Sequence, residues 1–237
     1  MCIVFLMSAD LAAQQRVSFM SSDGVEVTAD LYFQDSRAPY IILLHQENGS
    51  RGEYRDIAPR LQRLGFNCLV VDLRSGRESN FVQNETAASA QRKNLPVALI
   101  ESEKDVRAAM EYVQGTSIIN RYVILGSSYS ASLAMKVANQ NWRTAAVIAL
   151  SPGEFFAPQS TKDWLTDFNR MLYVAYTRQE QPYVEELVKD ISSELKTTYQ
   201  SQTRGASALL NESPQSGELW ISLMLFISKV KEEYFKN

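Results

Sequence analysis

The stretch Tyr122-Val123-Ile124-Leu125-Gly126-Ser127-Ser128-Tyr129-Ser130 passes from four consecutive apolar residues through a run of small ones into Ala131-Ser132-Leu133-Ala134, a helical pattern. An unbroken apolar run bounded by turn residues is what a strand buried on both faces of a sheet looks like. Small residues at Gly126 and Ser130 let the chain reverse sharply between strand and helix, so Ser128 stands at the corner in a strained conformation. This is the spacing of a nucleophile elbow. The helix that follows aims free N–H groups and a positive dipole end at any developing oxyanion. The other reading at this point is that Ser127 or Ser128 merely caps the helix, as serine often does.

Outward from this stretch the same alternation recurs. Residues 17–19 and 25–31 show period-two strand character around Asp23-Gly24, a hairpin signal. Residues 40–44 precede a helix expected over 54–64, ending at Gly65. Residues 66–71, which include Cys68 as a small buried hydrophobe, precede a long polar excursion and a helix over 103–113. Residues 122–125 lead into a helix over 130–138, and 145–150 form another strand. Residues 171–175 lead into a helix over 182–195, and a last helix covers 218–234. An antiparallel start followed by repeated strand–helix units predicts an α/β fold: a doubly wound, mostly parallel sheet with an antiparallel N-terminal hairpin and helices on both faces. Residues 16–237 are expected to form one domain. Residues 1–15 read as an N-terminal extension or a truncated signal peptide, since Cys2-Ile3-Val4-Phe5-Leu6-Met7 is apolar but no Lys or Arg precedes it. The second reading implies export, the first a cytoplasmic protein.

The composition narrows the function. A chain of 237 residues with 45% hydrophobic and 22% charged residues buries a substantial core. A net charge of -3 leaves no basic excess for nucleic acid. No apolar run reaches the ~18 residues that span a bilayer. Two cysteines support neither a disulfide framework nor a zinc site, and there is no metal-ligand spacing and no phosphate-binding glycine loop, so no metal and no cofactor are expected. The chain holds a single histidine, His45.

His45-Gln46-Glu47-Asn48-Gly49 at one strand end, Asp72-Leu73-Arg74-Ser75-Gly76 at the next, the elbow at Ser128 and Ser151-Pro152-Gly153-Glu154 together resemble the α/β-hydrolase superfamily, in its small esterase and dienelactone-hydrolase-like group. The resemblance covers essentially the whole chain from residue 17. It implies Ser128 as nucleophile, with the backbone N–H groups of Gln46 and Tyr129 as the oxyanion hole. It also implies an acid after the strand at 171–175, where Glu180 is the best match; Asp163 and Asp167 precede that strand.

The third member departs from the pattern. Where the family has its base histidine after the last strand, this chain reads Thr203-Arg204-Gly205, and no residue from Gln46 onward is histidine. Arginine stays protonated and cannot take a serine proton. The remaining imidazole, His45, is either a substitute base or a satisfied structural group. The resemblance therefore implies an ancestral carboxylic-ester, lactone or amide hydrolase with an incomplete triad, weak or inactive. The alternative is a non-catalytic relative that binds a small, anionic ligand or a protein partner. If Arg204 occupies the lost base's place, it is expected within hydrogen-bond reach of Glu180, a bidentate contact being the strongest form, with both near the Ser128 hydroxyl.

Overall fold

The computed structural model describes residues 14–210 and 214–236. Residues 1–13, on which the extension or signal-peptide expectation falls, lie outside them. Gln14 and Gln15, expected in that extension, instead belong to the first strand. β1 (Gln14–Met20) and β2 (Glu26–Tyr32) form the expected antiparallel hairpin, with Gly24 at φ 82° in its turn. After β3 (Tyr40–Leu44) come a 3₁₀ turn (Arg51–Tyr54), α1 (Ala58–Arg63) and β4 (Asn67–Val71). The polar excursion holds a two-residue hairpin, β5 (Glu78–Ser79) with β6 (Val82–Gln83), then α2 (Glu85–Arg92) and α3 (Ser102–Thr116). The elements β7 (Tyr122–Ser127), α4 (Tyr129–Asn139), β8 (Thr144–Leu150), α5 (Thr161–Trp164), β9 (Met171–Thr177) and α6 (Gln181–Leu187) follow. The chain continues through β10 (Lys196–Ser201), a 3₁₀ turn (Gly205–Leu209) and α7 (Pro214–Tyr234).

The main sheet has eight strands in the order β1-β2-β4-β3-β7-β8-β9-β10. β2 runs antiparallel to β1 and β4; the other pairings are parallel. Side chains alternate across it as the pleat requires. Ile42, Leu44, Ile124, Val147 and Val174 join a core with α3 and α4, while Ile41, Leu43, Val123, Ile148 and Tyr173 join one with α1 and α7. α7 meets the sheet through Leu219, Leu223, Phe226, Ile227 and Val230, a helical stripe three and four residues apart.

Two expectations fail locally, and one helix, α2, was not expected. The helix over 54–64 is cut to α1 because the preceding residues form the tight turn that returns the chain over β3. The helix over 182–195 ends at Leu187, and β10 takes up Lys196–Ser201 at the sheet edge. Among the described residues that strand pairs with β9 alone, and it is largely polar, so no apolar run marks it. α2 is built from Ala, Ser and Thr. Asn84 Oδ1 caps it by accepting the Ala87 N–H at 2.8 Å, and the hydroxyls of Thr86 and Ser89 accept the N–H groups of Thr28 and Glu26 on β2.

Candidate active site

Ser128 lies between β7 and α4 with φ 60° and ψ −125°. That left-handed, strained backbone is held from three sides. The Ser128 N–H donates to the Leu150 carbonyl at 2.8 Å, and the buried Ser130 hydroxyl donates to the Leu44 carbonyl at 2.8 Å while accepting the Ser127 N–H at 2.9 Å. A Cβ on Gly126 would stand 2.4 Å from the Ser130 carbonyl oxygen, so glycine is obligatory there. Ser128 makes no side-chain cap to α4, and Ser127 is turned into the interior, its Oγ accepting the Ala206 N–H at 3.0 Å. Ser128 is thus the N-cap residue by position only, and neither serine caps the helix with its side chain. As the first residue of α4, Tyr129 has an N–H with no intrahelical acceptor.

Glu180 is buried at the start of α6. Its Oε2 accepts the Thr177 N–H at 2.9 Å and the Thr177 and Ser151 hydroxyls at 3.0 Å each. Its Oε1 accepts Arg204 Nε at 2.5 Å. The contact is single rather than bidentate, because three other donors already saturate Oε2. Burial works to raise the Glu180 pKa, but the Thr177 N–H, the Arg204 guanidinium and the two hydroxyls outweigh it and hold it below the ordinary value. Arg204 is 65% exposed and Glu180 only 2%. The Ser151 hydroxyl also accepts the Gly205 N–H at 2.8 Å. Gly205 has φ 59°, and a Cβ there would meet Ser127 Oγ at 2.5 Å. The structure therefore brings Glu180 and Arg204 together. It does not join either to Ser128, whose hydroxyl hydrogen-bonds to none of the described residues.

His45 is fully buried and both ring nitrogens are in use. Nδ1–H donates to the Gln46 carbonyl at 2.7 Å, and Nε2 accepts the Leu73 N–H at 2.8 Å with Asn84 Nδ2 at 3.2 Å. Burial depresses its pKa to about 4. It ties β3 to the segment after β4 and has no nitrogen left for Ser128, so the substitute-base expectation fails on geometry.

The Gln46 N–H, expected to be a free oxyanion donor, instead donates to Glu53 Oε2 at 3.0 Å. Glu53 comes from the 3₁₀ turn after β3 and is buried; its Oε1 has no hydrogen-bond partner among the described residues. Burial pushes its pKa up to about 7, against the pull of the Gln46 N–H and the nearby Ser127 hydroxyl. A carboxyl group thus sits where one donor of an oxyanion hole was expected. Sequence reasoning missed Glu53, since nothing in Ser50-Arg51-Gly52-Glu53-Tyr54 marks a buried carboxylate.

Two cavities adjoin Arg204. One of about 280 Å³ is lined by Gly153, Glu154, Phe155, Tyr183, Leu187 and Arg204. The other, a polar groove of about 680 Å³ beyond the ends of β9 and β10, includes Arg178, Gln179, Gln200, Thr203, Arg204 and Glu218. Among the described residues no cluster could hold a metal ion, and no helix is long and apolar enough to cross a membrane.

His45 and Glu53 give folding opposite pH dependences. His45, depressed from 6.5 to about 4, contributes stability that is present above pH 6.5 and lost as the pH falls through 4. Glu53, raised from 4.5 to about 7, contributes stability that is fully present below pH 4.5 and lost as the pH rises through 7. Each displacement corresponds to about 3 kcal/mol, so the two offset one another where the windows overlap, between pH 4.5 and 6.5. Glu53→Gln removes one side. Relative to the unsubstituted protein it is expected to lose about 2–3 kcal/mol on acidification from neutrality to the ordinary carboxylate range, read by urea unfolding at each pH. Parallel curves would show an ordinary Glu53.

No family model matches the sequence, and no curated protein does. Solved structures share the fold. An esterase from Pyrococcus furiosus superposes with a TM-score of 0.69 over 94% of this chain and 92% of its own, at 13% identity. A carboxylesterase from Nitrososphaera gargenis gives 0.68 over 92% and 100% at 13% identity. An acylaminoacyl peptidase from Pyrococcus horikoshii gives 0.69 over 93% of this chain and 42% of its own, also at 13% identity. The fold is that of the α/β-hydrolases.

Proposed function

We propose that this α/β-hydrolase-fold protein carries a serine-hydrolase site that has lost its base, and that the site binds a small ligand rather than cleaving an ester. In this reading Ser128 is the former nucleophile, Glu180 the former acid and Arg204 the replacement for the base. One observation carries it: Arg204 Nε lies 2.5 Å from Glu180 Oε1, so a permanent cation occupies the acid's free oxygen. The fully engaged His45 supports the same conclusion, because a serine hydroxyl with no base is a poor nucleophile. The Glu53 carboxyl on the Gln46 N–H adds a second obstacle, at the point where an oxyanion would need a donor. The esterases that share the fold suggest acyl compounds as the ligand class.

The test is hydrolysis of p-nitrophenyl butyrate together with labelling by a fluorophosphonate probe. With the base gone, turnover is expected at least about 10⁴-fold below that of a complete triad. Labelling at Ser128 should be absent, and Ser128→Ala should change nothing. Turnover well above background that disappears in Ser128→Ala would overturn the reading in favour of a serine hydrolase with an unusual base.

A further inference from the structure

We infer that the cavity beside Arg204 takes a small monocarboxylate with an apolar tail, such as an arylacetate or a medium-chain fatty acid, with its carboxylate on the outer edge of the Arg204 guanidinium. This rests on the proposal that the site binds rather than cleaves, and it names the ligand class. A guanidinium carries five N–H donors in a fixed plane. Arg204 commits Nε to Glu180 and also meets the Tyr183 phenol, and its exposed terminal nitrogens face the cavity they help to line. That outer edge is the fork that pairs with a carboxylate. The buried Glu180, itself fixed by Thr177 and Ser151, holds the fork in place, so little ordering is left to occur on binding.

The tail follows from the walls. Phe155, Leu187 and the ring of Tyr183 give the 280 Å³ cavity an apolar surface, the Tyr183 hydroxyl being turned to the Glu180–Arg204 pair, and its volume is at the small end for ligand sites. Glu154 is the one acid in that lining that would repel an anion. Its carboxylate is turned to the start of α5, where it accepts the Thr161 and Lys162 N–H groups at 2.5 and 3.0 Å and the Ser160 hydroxyl at 3.2 Å. On the adjoining groove Arg178 adds a second cation against the single acid Glu218. A hydroxylated acid lying in that open groove would trade each hydrogen bond against water. An apolar tail in the smaller cavity gains from burial instead.

Isothermal titration of the full chain with phenylacetate at neutral pH and low salt is expected to show binding at one site. Phenylacetamide, its neutral counterpart, should bind at least about tenfold more weakly, and Arg204→Gln should lose at least about tenfold for phenylacetate. A glutamine amide at this exposed position can still donate to Glu180, and a thermal melt verifies that the variant keeps the fold. Equal affinity for the acid and the amide, an unchanged affinity in Arg204→Gln, or no binding of phenylacetate at all would each overturn the assignment. Tighter binding of glucuronate than of phenylacetate would move the ligand into the polar groove and overturn the apolar tail. The fluorophosphonate and ester assays report on the loss of hydrolysis separately. Absent phenylacetate binding in a protein without turnover therefore refutes the ligand class alone, and Ser128-dependent turnover refutes the reading beneath it.

Discussion

Arg204→His is expected to raise Ser128-dependent ester hydrolysis by about a hundredfold over background, and Arg204→His combined with Glu53→Ala by about 10⁴-fold or more. The division follows from two separate obstacles. A histidine at position 204 restores a group that can take the serine proton, with Glu180 positioned to accept its Nδ1–H. That nitrogen is one bond nearer the backbone than arginine Nε, so the contact with Glu180 lengthens from its present 2.5 Å and part of the base's worth is lost. The tetrahedral oxyanion then finds the Gln46 N–H already donated to Glu53. Loss of one such donor costs about 10²–10³ in turnover, which is the increment assigned to Glu53→Ala. Initial rates on p-nitrophenyl butyrate for the four proteins of the cycle, each repeated on a Ser128→Ala background, separate the terms. If Arg204→His alone reaches the full gain and Glu53→Ala adds nothing, then Glu53 does not occupy the oxyanion position. If neither variant gains, the assignment of Arg204 to the base position is wrong.

Much of this architecture can be read from the residues, and the failures share a cause. The elbow was legible because close packing leaves no choice at Gly126, where a Cβ would stand 2.4 Å from a backbone oxygen. Apolar runs announced the central strands because each is covered on both faces. α2 and β10 were illegible for the opposite reason. α2 packs through Ala, Ser and Thr, whose hydroxyls serve β2 rather than an apolar face, and β10 is a polar edge strand. The proximity of Arg204 to Glu180 came from the resemblance, but its single-point geometry depends on Thr177 and Ser151 filling the other oxygen. Glu53 could not be found from sequence at all. Its role arises because the 3₁₀ turn at Arg51–Tyr54 folds back over the end of β3, and that path is set by tertiary contacts, such as the Tyr54 hydroxyl on the Leu44 carbonyl at 2.8 Å.

Asp105→Ala is expected to destabilise the protein by about 3–5 kcal/mol, lowering the melting temperature by roughly 10–15 °C. Arg74 and Asp105 both have fully buried side chains. Asp105 accepts the Arg74 backbone N–H at 2.8 Å, Nη2 at 2.8 Å and Nε at 3.1 Å. On its other side Arg74 meets Asp23, in the β1–β2 turn, at 2.7 Å. The guanidinium thus joins the N-terminal hairpin, the end of β4 and α3. Removing Asp105 strands most of a buried cation, whereas removing Asp23, which is 19% exposed, leaves Arg74 its inner partner and should cost no more than about 1 kcal/mol. Replacing both inner groups, as in Arg74→Met with Asp105→Leu, should restore much of the loss, because the damage lies in the unpaired charge rather than in the missing bridge. The effect reaches the candidate site. Arg74 precedes Ser75, whose hydroxyl lies 2.5 Å from the Tyr129 phenol, and Tyr129 is the residue that follows Ser128. Urea unfolding of the single and double variants tests the argument. A cost below about 1 kcal/mol for Asp105→Ala, or a double variant no more stable than the single, would mean that water or a rearranged Asp23 satisfies Arg74 without Asp105.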